Sequence, residues 1–472
     1  MSEWNTRVWT AGAAAALMLA AAGARGETLS DAIALAYRSN PTLQAARANQ
    51  RGLDESVVQA RAGYRPQASV SAYGEYTDTQ YGKGAYDSHA NLGGATLTLS
   101  QPLYTGGKTS AAVQAAEASI DAGREGLRST EAGVLQQVIQ AYADVRRDQQ
   151  IVAIRENNVQ VLANQLEETQ AKFDVGQITR TDVAQAQAQL AAARAALSSS
   201  QANLQISRAA YAAVVGQNPG ELAPEPPAPG VPATVDQAFD TAEAESPVLR
   251  RARSTEASSR ARVAEARAAN RPTVSLQGTL GYSGTLAPFA PGDYNRAVTA
   301  EAVISQPLFT GGLNASNIRS ALEQNTADRI NIETARRQVV LNVSQAWNTM
   351  AAAKANVLSD QEQVRAAATA FEGAQEEYRV GLRTTLDVLI AQQTLRDAEL
   401  ALVQARHDAY VAEAGVLNAM GRLEARYLVA GVEVYDPSQS LNRAKRAGAT
   451  PWDGLVERLD QIGAEPTSGP KR

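Results

Sequence analysis

Residues Ser100–Gly107 read SQPLYTGG, and residues Ser305–Gly312 read SQPLFTGG. The second copy begins 205 residues after the first, and the two differ only in the aromatic residue. A duplicated motif of this length predicts that the chain contains two copies of one structural unit.

Other motifs keep nearly the same register. Val175-Gly176 corresponds to Val380-Gly381 at the offset of 205, and Asn40-Pro41 corresponds to Ser246-Pro247 at an offset of 206. The duplication therefore covers most of the chain and predicts this division: a first repeat at 27–221, a connector at 222–235, a second repeat at 236–423 and a tail at 424–472.

The composition excludes several classes of protein. The chain has 472 residues, a net charge of −5 and no cysteine, and its two histidines are His89 and His407. A negative chain lacks the basic footprint of a nucleic-acid-binding protein. Without cysteine there is no disulfide framework, no thiol nucleophile and no soft metal site, so we expect no cofactor. We expect His89 in a solvated loop and His407 on a helix surface.

The first residues read as a secretory leader. Arg7 precedes an apolar run over 8–22, and small residues follow, so we place a signal peptide at 1–26. Cleavage after Ala24 and cleavage after Gly26 both fit the pattern. The apolar run is shorter than the ~20 residues that a membrane-spanning helix needs.

Four segments alternate between apolar and polar residues. They form two pairs, at 67–101 and 272–306, and each run is close to the length of a tilted strand that crosses an outer membrane. Polar loops rich in Gly and Tyr are predicted at 75–90 and 283–295. Four strands cannot close a membrane barrel, because the smallest barrels need about eight. Strands from other copies must complete it: two copies give eight strands and three give twelve, and the composition does not choose between them.

Each strand pair precedes a long helical pattern without proline, predicted over Lys108–Phe173 and Leu313–Tyr378. At 1.5 Å per residue, each helix is on the order of 100 Å long. Gly176 and Gly381 are expected to end these helices in the left-handed conformation.

Shorter helices are predicted to return along each long one. The return helices are Thr181–Val215 and Leu386–Met420, and two further helices are Pro41–Tyr64 and Pro247–Asn270. One return helix and one of these further helices together match the length of a long helix. We therefore expect the two shorter helices in each half to meet end to end. Five prolines make the connector stiff and extended.

The leader, the paired strands, the doubled SQPL-aromatic-TGG and the doubled Val-Gly turns together resemble the TolC family of outer-membrane channel-tunnels. The resemblance covers roughly 27–423. It implies an α+β membrane protein of the Gram-negative outer membrane: a homotrimer with a shared 12-stranded β-barrel in the outer-membrane lipid and an α-helical coiled-coil tunnel in the periplasm. It also implies a tripartite machine with a periplasmic adaptor (membrane-fusion protein) and an inner-membrane transporter of the ABC type.

The resemblance assigns roles near the periplasmic tip. Residues matching Thr181, Asp182, Tyr378 and Arg383 form an aperture latch between neighbouring coiled coils. The alternative for Asp182, and also for Asp387, is a carboxylate that simply lies near a helix N-terminus. Asp387 matches a constriction ring of carboxylates that gives cation preference, but Ile390 stands where a second carboxylate is found in relatives. Adaptor docking is assigned to the tips, for which plain hairpin geometry is the alternative: Val175, Gly176, Gln177, Val380, Gly381 and Leu382.

No catalytic constellation is evident, so we expect a passive duct rather than an enzyme. Three functions remain open. The tail favours protein export in type I secretion, the same fold serves small-molecule and multidrug efflux, and a soluble periplasmic scaffold would explain the helices but not the strands.

Overall fold

A computed structural model of the chain describes residues 26–80, 82, 88–286 and 291–462. The predicted leader, apart from Gly26, lies outside these residues. The helices are α1 Leu29–Ser39, α2 Pro41–Asp54, α3 Ser56–Arg61, α4 Lys108–Asp174, α5 Arg180–Val215, α6 Val235–Glu245, α7 Pro247–Ala268, α8 Leu313–Arg379, α9 Thr385–Ala419, α10 Ala425–Leu428, α11 Pro437–Arg446 and α12 Asp453–Asp460. The strands are β1 Gln67–Thr79, β2 Ser88–Tyr104, β3 Thr273–Thr285 and β4 Asn295–Ser305.

The chain divides into two compact units, each drawn from three stretches of sequence. Helices α4 and α8 each contribute to both units. In the described ranges, no helix combines the length and apolarity that crossing a membrane requires. Unit 1 comprises 1–46, 128–246 and 337–434, and unit 2 comprises 47–127, 247–336 and 435–472.

The four strands of unit 2 form one antiparallel sheet in the order β1-β2-β3-β4. The two predicted strand pairs are therefore confirmed. The central pairing joins the two repeats, with Leu97 opposite Leu280. The predicted loop at 75–90 is too long, because β1 and β2 continue pairing as far as Thr79 and Ser88. His89 consequently lies on a strand, with its Nδ1 3.0 Å from Asp78 Oδ1.

The long helices begin where predicted, at Lys108 and Leu313, and each ends one residue later than predicted. The predicted helix Pro41–Tyr64 is wrong as a single element. It breaks after Asp54, where Glu55 N donates to Gly52 O (3.3 Å). Because glycine is a weak helix former, a tight turn at Gly52 interrupts the series of helical backbone hydrogen bonds. Five helices escaped the sequence analysis: α1, α6 and the three helices of the tail, α10, α11 and α12.

The first residues after the predicted leader are part of unit 1. Glu27 N donates to Glu221 O (2.7 Å), and Glu27 O accepts from Ala223 N (3.0 Å) and Tyr142 Oη (2.9 Å). Its side chain accepts a hydrogen bond from Tyr211 Oη (2.6 Å). The start of the repeat is thus tied to the start of the connector by buried tyrosines.

The predicted end-to-end meeting of helices is seen at Asn40 in unit 1. Asn40 Oδ1 accepts from Thr42 N (3.0 Å) and so caps α2, while its Nδ2 donates to Val214 O (2.9 Å) near the end of α5. One amide therefore satisfies backbone groups of both helix ends. In the second repeat, Arg422 makes a two-pronged ion pair with Glu245, with both distances 2.9 Å.

His407 contradicts the prediction of a surface residue, because its side chain is buried in unit 1. Its Nε2 lies 2.8 Å from Asp144 Oδ1 on α4, and its Nδ1 lies 2.9 Å from Asp408 Oδ1. A neutral imidazole donates from only one nitrogen, so two facing carboxylates favour the cation. Burial lowers the pKa of His407 and Arg147 opposes the charge, but the hydrogen bonds to both aspartates outweigh them, and the net shift is upward.

The described part of the tail, which ends at Ile462, packs against unit 2 through its last helix. In unit 2, the fully buried Asp460 accepts hydrogen bonds at the start of α4: Oδ1 from Thr105 N (2.7 Å), Thr105 Oγ1 (2.8 Å) and Gly107 N (3.1 Å), and Oδ2 from Ser110 N (3.2 Å). A carboxylate is favoured at a helix N-terminus, where backbone N–H groups lack partners. Arg65 Nε lies 3.2 Å from Asp453 Oδ2 and holds the same segment.

We expect the stability of unit 1 to fall as the pH rises. Because the folded pKa of His407 is raised, its contribution is complete below the unfolded value of about 6.5 and is lost as the pH passes the folded pKa. Thermal unfolding followed by circular dichroism between mildly acidic and alkaline pH measures this. His407→Gln should flatten the dependence. An equal slope in His407→Gln would contradict the assignment.

Removal of the Asp460 carboxylate should release the tail. Asp460→Ala leaves several buried N–H groups without an acceptor, so we expect a cost of about 3 kcal/mol, or roughly a hundredfold faster amide exchange over 453–462. Hydrogen–deuterium exchange with mass spectrometry measures it. Asp453→Ala, which removes a more exposed carboxylate of the same helix, is the matched control and should act more weakly. Equal effects would argue against a specific role for Asp460.

Candidate functional site

The two Val-Gly turns have the same hydrogen bonding. Gly176 N donates to Phe173 O (2.9 Å) and Gln177 N donates to Lys172 O (2.9 Å). In the second repeat, Gly381 N donates to Tyr378 O and Leu382 N to Glu377 O. Both glycines have positive φ, 73° and 80°, as predicted. This is the Schellman arrangement, which ends a helix and satisfies its last carbonyls.

Each return helix starts with a reciprocal capping box. Asp182 N donates to Thr179 Oγ1 (3.4 Å), and Asp182 Oδ2 accepts from Thr179 N (2.9 Å). Asp387 and Thr384 repeat this geometry, with Asp387 Oδ2 2.9 Å from Thr384 N. The hydrogen bonds from the threonines hold the pKa of both aspartates below the ordinary value. The proposed latch and constriction carboxylates are therefore helix caps within the chain, and both stay ionised.

The hairpins of the two repeats pack against each other in unit 1. Lys172 Nζ lies 4.2 Å from the centre of the Tyr378 ring, a cation–π contact, and also 2.7 Å from Glu168 Oε1. Thr385 Oγ1 lies 3.5 Å from Tyr378 Oη. Further from the turns, Gln392 Nε2 donates to Asn158 Oδ1 (3.2 Å) in a buried contact. A hydrophobic cluster consolidates the pairing, formed by Leu162, Leu190, Ala193 and Leu389.

Among the described residues, the four side chains predicted to form a latch make no hydrogen bond or ion pair with one another. Arg383 Nε donates to Glu377 Oε2 (2.7 Å), which raises the pKa of Arg383 through that hydrogen bond. Within the described residues, Asp182 Oδ1 makes no hydrogen bond, so one carboxylate oxygen is free to accept from elsewhere. Sequence reasoning missed Glu377, although a glutamate six residues before an arginine across a tight turn is a usable signal.

The tips present apolar side chains to solvent. Val175, Val380 and Leu382 are 70%, 71% and 77% exposed. Gln177 takes the place of Leu382 in the first repeat and is also exposed, so the two tips differ in polarity at one position. Ile390 is exposed as well, one helical turn beyond Asp387. Across the described ranges, no group of His, Cys, Asp or Glu residues could hold a metal ion.

Comparison with known proteins agrees with this geometry. The family profile described as "Outer membrane efflux protein" matches residues 32–217 and 238–422, one segment in each repeat. The outer membrane efflux protein BepC of Brucella suis is 36% identical over 438 residues, which cover 93% of this chain and 94% of that protein. The outer membrane protein TolC of Escherichia coli is 25% identical over 455 residues, which cover 92% and 90%.

Solved structures share the fold. The CmeC outer membrane channel of Campylobacter jejuni superposes with a TM-score of 0.74 at 17% identity, covering 89% of each chain. The duplicated profile match lies on the two repeats found in the sequence, and the BepC match spans nearly both whole chains. The chain therefore belongs to the outer membrane efflux protein family, whose members are outer-membrane channels related to TolC rather than enzymes.

Proposed function

We propose that this chain is the outer-membrane exit duct of a tripartite export machine. It acts as a homotrimer in which three four-stranded sheets combine into a 12-stranded barrel, and the helices form a tunnel in the periplasm. The observation that carries this is the open sheet: β1 and β4 each pair on one side only. Unpaired strand edges in hydrocarbon cost several kcal/mol per backbone group, so the sheet needs partner strands. Family membership makes a soluble scaffold the weaker alternative.

The tips of the hairpins then have two tasks. Thr181, Asp182, Tyr378 and Arg383 form the latch between neighbouring copies, with Arg383 reaching the free Oδ1 of Asp182. Asp387 contributes a single ring of three carboxylates to the constriction. The exposed apolar residues of the two turns, Val175, Val380 and Leu382, dock onto a periplasmic adaptor.

Two cargoes are candidates. Protein export by a type I system with an ABC transporter was favoured by the tail, but the packing of Asp460 now gives the tail a structural role that is independent of cargo. Expulsion of small molecules is favoured by the similarity to BepC, an outer membrane efflux protein that matches nearly the whole chain. The duct itself is the same in both cases.

Reconstitution tests the duct and its latch together. The leaderless protein, purified in detergent, should have the mass of a trimer and should form channels of low conductance in planar bilayers. Arg383→Ala and Asp182→Ala should each raise the single-channel conductance several-fold, because a charge-assisted hydrogen bond that holds the closed state is lost.

Thr179→Ala separates a latch from a cap. This variant loses the same capping box as Asp182→Ala but keeps the carboxylate. A latch predicts that Thr179→Ala conducts like the wild type. If Thr179→Ala and Asp182→Ala conduct alike while Arg383→Ala is unchanged, Asp182 is only a cap. A monomer that forms no channels would refute the duct.

Deletion of the gene separates the cargoes. In the deletion strain, we expect growth inhibition at several-fold lower concentrations of hydrophobic drugs and bile salts if the duct serves efflux. If it serves type I secretion, one or more proteins should disappear from the culture medium while drug tolerance is unchanged. Complementation with the wild-type gene should restore the lost function. Complementation with the double variant Val380→Ser and Leu382→Ser, which removes the apolar tip side chains, tests whether the function needs docking onto the adaptor.

A further inference from the structure

Helix α12 in the tail has apolar side chains on two faces. On the inner face, Val456 is 2% exposed and packs in a cluster that includes Tyr64 and Val113. A second set of four large apolar side chains, two in α12 and one just beyond each of its ends, follows at spacings of three, four and three, the spacing of one side of a helix. We call these residues the apolar stripe; they are Trp452, Leu455, Leu459 and Ile462, at 46%, 64%, 38% and 65% exposed.

The apolar stripe lies at one end of the sheet. Tyr104 Oη, at the last residue of β2, donates to Ile462 O (3.3 Å), and Asp460 accepts from Thr105 N just beyond the strand. This is the end at which β2 passes into helix α4. The strands themselves expose apolar side chains to their surroundings, among them Leu99 and Ile304 near this end. The stripe therefore lies at the end of a sheet that itself exposes apolar side chains.

Exposed basic side chains occur in the same part of the tail. Arg443 and Arg446 are in the last turn of α11, and Arg458 is on α12; all three are exposed. Among the described residues they pair with no carboxylate, whereas Lys445 of the same turn pairs with Glu117 (2.7 Å). An exposed apolar face bordered by free cations is the composition of a helix that lies in a membrane interface. Tryptophan in particular favours that region, where an apolar ring meets polar headgroups.

We propose that the apolar stripe of α12 lies in the periplasmic leaflet of the outer membrane and contacts phospholipid acyl chains, while the arginines contact lipid phosphates. This inference rests on the proposed function, which puts the sheet in the outer membrane with its β2–α4 end at the periplasmic boundary. Interfacial helices insert about 5–10 Å below the headgroups, a depth that these side chains can reach. The tail then anchors the junction between sheet and helices to lipid.

Tryptophan fluorescence tests the proposal directly. The chain has four tryptophans, of which Trp4 and Trp9 lie in the predicted leader. In the leaderless protein, Trp347→Phe therefore leaves Trp452 alone, and Trp452→Phe leaves Trp347 on helix α8 as the matched control. Both variants are reconstituted into vesicles of phosphatidylethanolamine and phosphatidylglycerol brominated near the carboxyl end of the acyl chain.

We expect these lipids to quench Trp452 emission several-fold more strongly than Trp347 emission. Lipids brominated near the methyl end of the acyl chain should quench Trp452 less strongly. Leu455→Ser with Leu459→Ser should weaken the quenching. Blue-shifted emission without quenching would mean that a second copy of the chain covers the stripe, and quenching by aqueous acrylamide would mean that water does. Either result overturns the proposal.

Flotation and conductance of the same vesicles separate the two levels of inference. If the protein floats with the vesicles and conducts but Trp452 is not quenched by bromolipid, only the placement of α12 fails. If the protein neither floats nor conducts, the proposed function fails as well.

Discussion

The antiparallel pairing of β2 with β3 is the interaction on which the rest of unit 2 depends. It runs from Leu92 opposite Thr285 to Tyr104 opposite Val274 and joins strands from different repeats. Because the central strands are hydrogen-bonded on both sides, only β1 and β4 retain open edges. An open edge is a template for another strand, and in hydrocarbon it is not tolerated. The duplication thus creates a sheet that is complete in its centre and unfinished at both ends.

Local chemistry explains why so much of this fold could be predicted from sequence. Gly176 and Gly381 end helices because only glycine takes a positive φ without strain, and alternating polarity marks strands wherever one face is apolar. Several of the features that escaped prediction depend on residues distant in sequence. The residues next to His407 in the sequence do not indicate that it pairs with Asp144. The polar sequence of the tail does not indicate that Asp460 accepts a hydrogen bond from Gly107 N.

The same limit applies to the candidate site. The sequence analysis offered a latch and a helix cap as alternatives for Asp182, and the capping box could be recognised in the sequence because Thr179 is three residues away. The partner of Arg383 across the turn, Glu377, was missed. A link between copies involves a surface that no single chain displays, so neither the sequence pattern nor the fold of one protomer can contain it.

The tail makes the two repeats unequal. In the first repeat, Asp460 occupies the start of α4, whereas in the described part of the second repeat no carboxylate takes the equivalent place beside Thr310. Leu308 and Phe309 there are 93% and 89% exposed. The two motifs, which differ only in the aromatic residue, thus have different surroundings: the tail covers the first, and the second is exposed. Similarity of sequence between the repeats therefore does not make their surroundings equivalent.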